Sequence, residues 1–271
     1  MKDLFQELRA TGVRPVSGGC IHRCYRATIE GAARFIKVND ARFVDAFAAE
    51  ADGLEALHGA GARTPRALHH GTHEQEAFLV LEFLELQGSG DWAALGTMLA
   101  QTHRQAGPRF GWARDNYLGA TPQQNRWHDD WPTFFAQCRL APQLSLAAQR
   151  GFRLDPGKAL DLLRSHSPEP ALLHGDLWSG NAAFTPEGAP VIFDPAVYYG
   201  DREADLAMTE LFGGFPKAFY AAYEAAYPLA RGYALRKHLY NLYHLLNHLN
   251  LFGGGYAAQV RSTLGLLLGS V

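Results

Sequence analysis

Cysteine is scarce: the 271 residues hold Cys20, Cys24 and Cys138 and no others. Three thiols cannot make a disulfide framework, which excludes a cross-linked secreted scaffold and sets the expectation of a reducing, cytoplasmic setting. An excess of charge of one sign is missing too. With 25 basic and 27 acidic side chains the net charge is −2, so there is no electrostatic case for nucleic acid or an anionic membrane. No apolar run approaches the roughly 18 residues that a bilayer span needs. The opening Met1-Lys2-Asp3-Leu4-Phe5-Gln6-Glu7-Leu8 has the pattern of a short amphipathic helix, not that of a signal peptide. Repeats and low-complexity tracts are also lacking. What is left is a chain with room for one large domain or two lobes with cores of their own.

What is present gathers around His174-Gly175-Asp176-Leu177-Trp178-Ser179-Gly180-Asn181 and Val191-Ile192-Phe193-Asp194. Ala171-Leu172-Leu173 reads as a short buried strand. Ala182-Ala183-Phe184 and Pro190 to Phe193 flank the turn residues Pro186-Glu187-Gly188 and read as a hairpin. The hairpin returns Asp194 to the neighbourhood of Asn181. The spacing matches the H-x-D-x-x-x-x-N loop of kinases, in which the aspartate takes a proton from a hydroxyl and the asparagine holds a metal. Oxygen ligands of this kind suit Mg²⁺. The DFG signature is absent, because Pro195 and Ala196 follow Asp194. The bland alternative makes Asp176 and Asn181 turn residues that satisfy backbone groups.

Residues 13–39 alternate apolar and polar, with breaks at Gly18-Gly19 and Glu30-Gly31, and read as three antiparallel strands. Gly18 and Gly19 would let backbone N–H groups approach phosphate, or simply close a hairpin. Cys20 beside them is a redox candidate or a small packed side chain. In Phe35-Ile36-Lys37-Val38 a lysine interrupts an apolar run. From Asp40 to Ala60, Phe43, Phe47, Leu54 and Leu57 recur at helical spacing, and Glu50 falls on the same stripe. A carboxylate on a core face needs a cation, and Lys37 is the obvious one. Such a pair holds ATP phosphates in kinases, although it also serves as a purely structural pair.

The apolar run Ala77 to Leu86 gives way to Gln87-Gly88-Ser89-Gly90, which has linker composition. A boundary is therefore placed there, with residues 1–86 as a nucleotide-binding lobe and 87–271 as a catalytic and acceptor-binding lobe. Glu82, Phe83 and Leu84 at this hinge are candidates for reading an adenine edge. His69, His70 and His73 lack metal-ligand spacing and are expected in a solvent-facing loop. Residues 107–128 are rich in amides and indoles, which suits either a polyhydroxylated ligand or a well-packed loop. Asp205 is a candidate brace beneath the catalytic loop, and helix capping by Asp201 is the local alternative. His244 and His248 stand one helical turn apart and are read as helix-face residues, since no glutamate follows His244.

Taken together, these motifs resemble the fructosamine kinase (ketosamine-3-kinase) family, in the aminoglycoside-phosphotransferase-like branch of the protein-kinase-like fold. The resemblance rests on Gly18 to Ile21, Phe35 to Lys37, Glu50 to Leu54, Asp115-Asn116, Gln124 to Trp127, His174 to Asn181 and Tyr198 to Ala207. His22 stands where relatives often carry a small polar residue. The implied fold is α+β and two-lobed, an antiparallel-sheet lobe with one helix followed by a mainly helical lobe. The implied activity is ATP-dependent phosphorylation of the 3-hydroxyl of a ketosamine, on a small molecule or a glycated protein lysine, leading to deglycation. By position, the resemblance makes Asp176 the proton acceptor and Asn181 and Asp194 the Mg²⁺ ligands. Lys37 becomes the phosphate contact and Glu50 its orienter, with Asp115, Asn116 and Trp178 in the acceptor site. The rival readings are a kinase for an aminoglycoside- or choline-like acceptor and a nucleotide-binding pseudokinase module.

Overall fold

Alternating strands joined by tight turns build the first half. In the computed structural model, which describes residues 2–16 and 21–270, the chain opens with α1 (Lys2–Glu7), β1 (Thr11–Val16), β2 (Arg23–Ile29) and β3 (Ala32–Asp40). Gly18, Gly19 and Cys20 lie outside the described residues. Glu30 and Gly31 both take positive φ, 52° and 77°, as a two-residue hairpin turn requires. Then come α2 (Val44–Gly59), β4 (Ala67–His73) and β5 (Glu76–Glu82), and the strands form one antiparallel sheet in the order β1-β2-β3-β5-β4. His69, His70 and His73 sit on the edge strand β4, not in a loop, because β5 pairs with that segment along its length.

Strand alternation decides what each face of the sheet carries. Ile36 and Val38 of β3 join Leu4, Ala27, Phe78 and Val80 on the α1 side. Phe35 belongs with Phe47, Leu54, Leu79 and Leu81 on the α2 side. Lys37 shares the parity of Phe35, so its side chain is delivered towards α2. Each fully buried large apolar side chain contributes about 1.5–3 kcal/mol, so the register that places Lys37 is fixed by its apolar neighbours.

The rest of the chain is mainly helical. It comprises α3 (Trp92–Thr102), the ladder of β6 (Asn116–Leu118) with β7 (Thr121–Gln123), α4 (Trp131–Phe134) and α5 (Ala141–Gln149). A π-helical turn, Phe135–Leu140, joins the last two. Asp91 and Asp130 cap α3 and α4, accepting from Ala94 N and Thr133 N at 2.9 and 2.8 Å. Next come β8 (Ala171–Leu173), the hairpin of β9 (Ala182–Phe184) with β10 (Pro190–Ile192), and β11 (Tyr198–Gly200), which pairs with β8. Helices α6 (Glu203–Leu211), α7 (Lys217–Ala226), α8 (Tyr233–Phe252) and α9 (Ala257–Leu268) complete it. The largest apolar cluster packs α8 against Trp131, Phe134, Phe135 and Tyr198. The architecture is thus α+β, as expected, and no described helix is long and apolar enough to cross a membrane.

Candidate active site

Lys37 Nζ donates to Glu50 Oε1 at 2.7 Å and to Asp194 Oδ1 at 2.6 Å. The lysine is 4% exposed. Burial alone would pull its pKa down, but the two carboxylates outweigh burial and raise it above its ordinary value, so the ammonium stays charged. Glu50 comes from α2 and Asp194 lies two residues beyond the β9–β10 hairpin, so one cation ties the sheet to the second half of the chain. Asp194 takes φ 58°, a left-handed conformation that aspartate tolerates better than most residues.

The loop after β8 is held from beneath. Asp205 of α6 accepts from His174 N at 2.7 Å and from Gly175 N at 2.8 Å. His103 of α3 meets the same carboxylate at 3.1 Å and is itself bonded to Tyr223 OH at 2.8 Å. Asp201 supplies the local cap, accepting from Glu203 N. Gly175 has φ +82°, and a Cβ there would meet Ala196 O at 2.1 Å, so only glycine fits. His174 Nδ1 accepts from Asp176 N, and Nε2 therefore donates to Phe193 O at 3.0 Å. That leaves the imidazole neutral, and burial lowers its pKa in the same sense.

This scaffold presents Asp176, Asn181 and Asp194 to one cavity, which Lys37 also lines; the cavity holds about 600 Å³. Burial, reinforced by the Asp194 charge, pushes the Asp176 carboxyl up to about 7. Such a group is poised for proton transfer near neutrality. Asn181 Nδ2 donates to Asp176 O at 2.8 Å, which turns its Oδ1 into the available acceptor. Asp194 keeps one oxygen free of Lys37 and is 45% exposed. An amide oxygen and a carboxylate beside open space are a hard, all-oxygen donor set, which fits a magnesium ion completed by water and phosphate.

Further along, the cavity is aromatic. Trp178 lies edge-on to Phe212 at 6.1 Å, and His248 packs against Phe212, Phe252 and Tyr256 with ring centroids 4.7, 5.5 and 5.1 Å away. His248 Nδ1 donates to His244 O at 2.9 Å, so Nε2 is left as an acceptor, and burial lowers the pKa. His248 thus lines the cavity, whereas the sequence reading left it as an ordinary helix-face residue. The signal available was its position at the α8 C-terminus next to Phe252. The acidic residues on the cavity wall are Glu50, Asp176 and Asp194.

Other candidates are not gathered here. Asp115 is exposed, does not line the cavity, and accepts from Asn125 N at 2.7 Å. Asn116 borders the cavity, but its side chain is used internally: Nδ2 donates to Val197 O at 2.7 Å, and Oδ1 accepts from Gln123 and Asn125. Buried Arg139 completes that network, donating to Gln124 O and Asn125 Oδ1 with its guanidinium 3.9 Å from the Tyr198 ring. The amides of Asn116, Gln123 and Asn125 therefore form an internal polar brace, while Tyr117, Leu118 and Gly119 of the same loop line the cavity. Glu82, Phe83 and Leu84 do not line the cavity either; Glu82 accepts from Arg66 N and Phe83 lies under the Arg26 guanidinium. Gly18 and Gly19 lie outside the described residues.

The sequence profile of the fructosamine kinase family matches residues 2–270. A probable ketoamine kinase of Synechocystis sp. is 50% identical over 269 residues, covering 96% of this chain and 91% of its own. The probable ketoamine kinase YniA of Escherichia coli is 40% identical over 260 residues, covering 93% and 91%. A crystal structure from Haemophilus somnus that carries a fructosamine-3-kinase name is similar with a TM-score of 0.89 at 29% identity, covering 98% of this chain and 96% of that one. Aminoglycoside phosphotransferase APH(4)-Ia, solved with ADP and hygromycin B, has a TM-score of 0.64 at 16% identity over 99% and 96%, a likeness of fold alone.

Proposed function

The chain belongs to the fructosamine kinase family, and from that premise we propose that it transfers the γ-phosphoryl group of ATP to the 3-hydroxyl of a ketosamine. It is an ATP-dependent phosphotransferase with an alcohol acceptor. The observation that carries the finer reading is the single cavity joining Lys37, Asp176, Asn181 and Asp194.

In this reading Asp176 accepts the proton of the 3-hydroxyl as that oxygen bonds to the γ-phosphorus, while the bond to the β-phosphate oxygen breaks and ADP leaves with its electron pair. Lys37 contacts the phosphates, and Glu50 keeps its ammonium aimed across the cleft. Asn181 and Asp194 would hold Mg²⁺, which when bound neutralises phosphate charge. Trp178 and the neighbouring rings border the acceptor. Three acidic side chains, all committed to the transfer, leave none for a polycation, so a singly charged amine adduct fits better than an aminoglycoside. A phosphate on O3 is a far better leaving group than hydroxide, so the product decomposes and frees the amine, whether of a small molecule or of a glycated protein lysine. We also propose that the nucleotide-binding lobe ends at residue 86, because Gln87 already pairs with Phe184.

The test is a mixture of the protein, ATP, Mg²⁺ and either ribuloselysine or fructoselysine, followed for ADP release and, by phosphorus NMR, for the position of the new phosphate. Asp176→Ala is the control. Absence of a 3-phosphate, or an undiminished rate in the control, overturns the reading.

A further inference from the structure

His22 lies three residues after Gly19 in the sequence and is the second described residue after position 20. The register pairs Cys24 with Lys37 and Arg23 with Val38 across β2 and β3. His22 therefore lies level with Asn39 and shares the parity of Cys24 and Lys37, on the face that looks towards α2 and the cleft. The ring packs on Phe47 with centroids 4.8 Å apart and meets Phe43 edge-on at 5.8 Å, and it lines the cavity with Lys37, Glu50 and Asp194.

The hydrogen bonds of Asn39 fix which nitrogen of the imidazole carries the proton. Asn39 Oδ1 accepts from Asp40 N at 2.8 Å. Its amide nitrogen must then be the donor, and it donates to Ile21 O at 3.1 Å and to His22 Nδ1 at 2.9 Å. With Nδ1 accepting, the hydrogen sits on Nε2. Among the described residues no protein acceptor is bonded to Nε2. Burial and the nearby Lys37 ammonium lower the His22 pKa to about 4, so the ring is a neutral donor at physiological pH. A protonated Nε2 has no lone pair to offer a metal. The group that suits it is an anionic oxygen.

Lys37 on the adjacent strand is already shared between two carboxylates, so an entering phosphate would compete for it and would gain from a donor with no prior partner. We propose that His22 is a nucleotide-binding residue whose Nε2–H donates to a phosphate oxygen of ATP, with Asn39 and Phe47 holding the ring in place. The inference rests on the kinase reading for its ligand but not on the identity of the acceptor.

The experiment measures the affinity of AMP-PNP with Mg²⁺ by calorimetry, without acceptor, for the full chain and two variants. His22→Gln can place an amide N–H where Nε2–H stood, whereas His22→Asn reaches only as far as Nδ1. A hydrogen bond to a charged oxygen predicts a loss of about ten- to a hundredfold in His22→Asn, with His22→Gln within about threefold of wild type by the same contact. The KM for the acceptor is expected to stay unchanged in both. In wild-type protein the His22 Nε2–H proton resonance is expected to gain protection from water exchange when AMP-PNP binds, a readout that needs no folded variant. Equal affinity in His22→Asn, or no added protection in the wild type, overturns the inference. If these effects appear but no ketosamine is phosphorylated, the acceptor assignment fails and the role of His22 stands.

Discussion

Replacing Asp176 by asparagine is expected to cut turnover sharply and at the same time to stabilise the protein above neutral pH. The carboxyl is held at about 7, against an ordinary value of 3.8, by burial and by the charge of Asp194. Well below the unfolded value, at about pH 3 and under, native and unfolded chains hold the proton alike. As the pH rises towards 7 the unfolded chain releases it first, so the native state loses ground, and above 7 it carries the full penalty. Three units correspond to about 4 kcal/mol. Asp176 borders an open cleft, and solvent screening leaves about 2 kcal/mol of this. Asparagine is isosteric and cannot ionise. Thermal melting from about pH 4.5 to about pH 8.5 is expected to show the Asp176→Asn protein gaining on the parent by about 5 °C as the pH rises. Turnover is expected to fall by about 10²- to 10⁴-fold. A variant that melts below the parent at about pH 8.5, or a difference that does not change with pH, would refute the reasoning.

Further outcomes concern the groups around it. The parent's kcat/KM is expected to rise with pH up to a midpoint at or below about 7, because the base must be ionised and any cation held by Asp194 removes that residue's contribution; a profile flat from pH 5 to 8 counts against Asp176 as the base. Lys37→Met leaves nearly buried Glu50 without its cation and is expected to cost about 3–5 kcal/mol in denaturant unfolding. The double variant with Glu50→Gln should recover much of that stability without recovering activity. Asp205→Asn points an amide at one of the backbone donors His174 N or Gly175 N and is expected to destabilise by about 1–3 kcal/mol and to lower kcat more than KM. Burial would raise the Asp205 pKa, but its hydrogen bonds from His103 and from the Gly175 backbone N–H outweigh burial and leave it below its ordinary value; its stabilisation is therefore full above about pH 4 and lost on further acidification. That acid limb should be missing in the variant. Gly175→Ala forces a Cβ into Ala196 O and is expected to remove activity and lower the melting temperature; an active Gly175→Ala enzyme would contradict the loop geometry.

Much of this was legible in the sequence wherever periodicity and polarity conflicted. Glu50 interrupted an apolar helical stripe and Lys37 an apolar strand, and a conflict of that kind has few physical resolutions. The spacing from His174 to Asn181 and the turn residues before Pro190 likewise determined a loop and a hairpin. The aromatic wall was not legible, because α8 buries residues around most of its circumference and no stripe distinguishes the side facing the cavity, so His248 looked like any other helical histidine. The amides of residues 107–128 left two readings open for a different reason. Asparagine and glutamine serve a sugar or an internal carbonyl equally well, and only the bonds from Asn116 to Val197 and from Arg139 to Asn125 reveal which. His69, His70 and His73 were placed in a loop because little in that segment favours a strand; β5 supplies the pairing that the local sequence does not announce.

On the proposed reading, the double engagement of Lys37 would make the cleft a coincidence detector. A cation alone satisfies Asp194 but leaves the lysine with Glu50 as its remaining counter-charge. A polyphosphate alone can draw the lysine away, but it then faces a bare carboxylate across the gap. On the reading proposed above, each charge on the two walls would find an opposite only when both arrive, so metal-free nucleotide and metal alone would each meet an uncompensated charge.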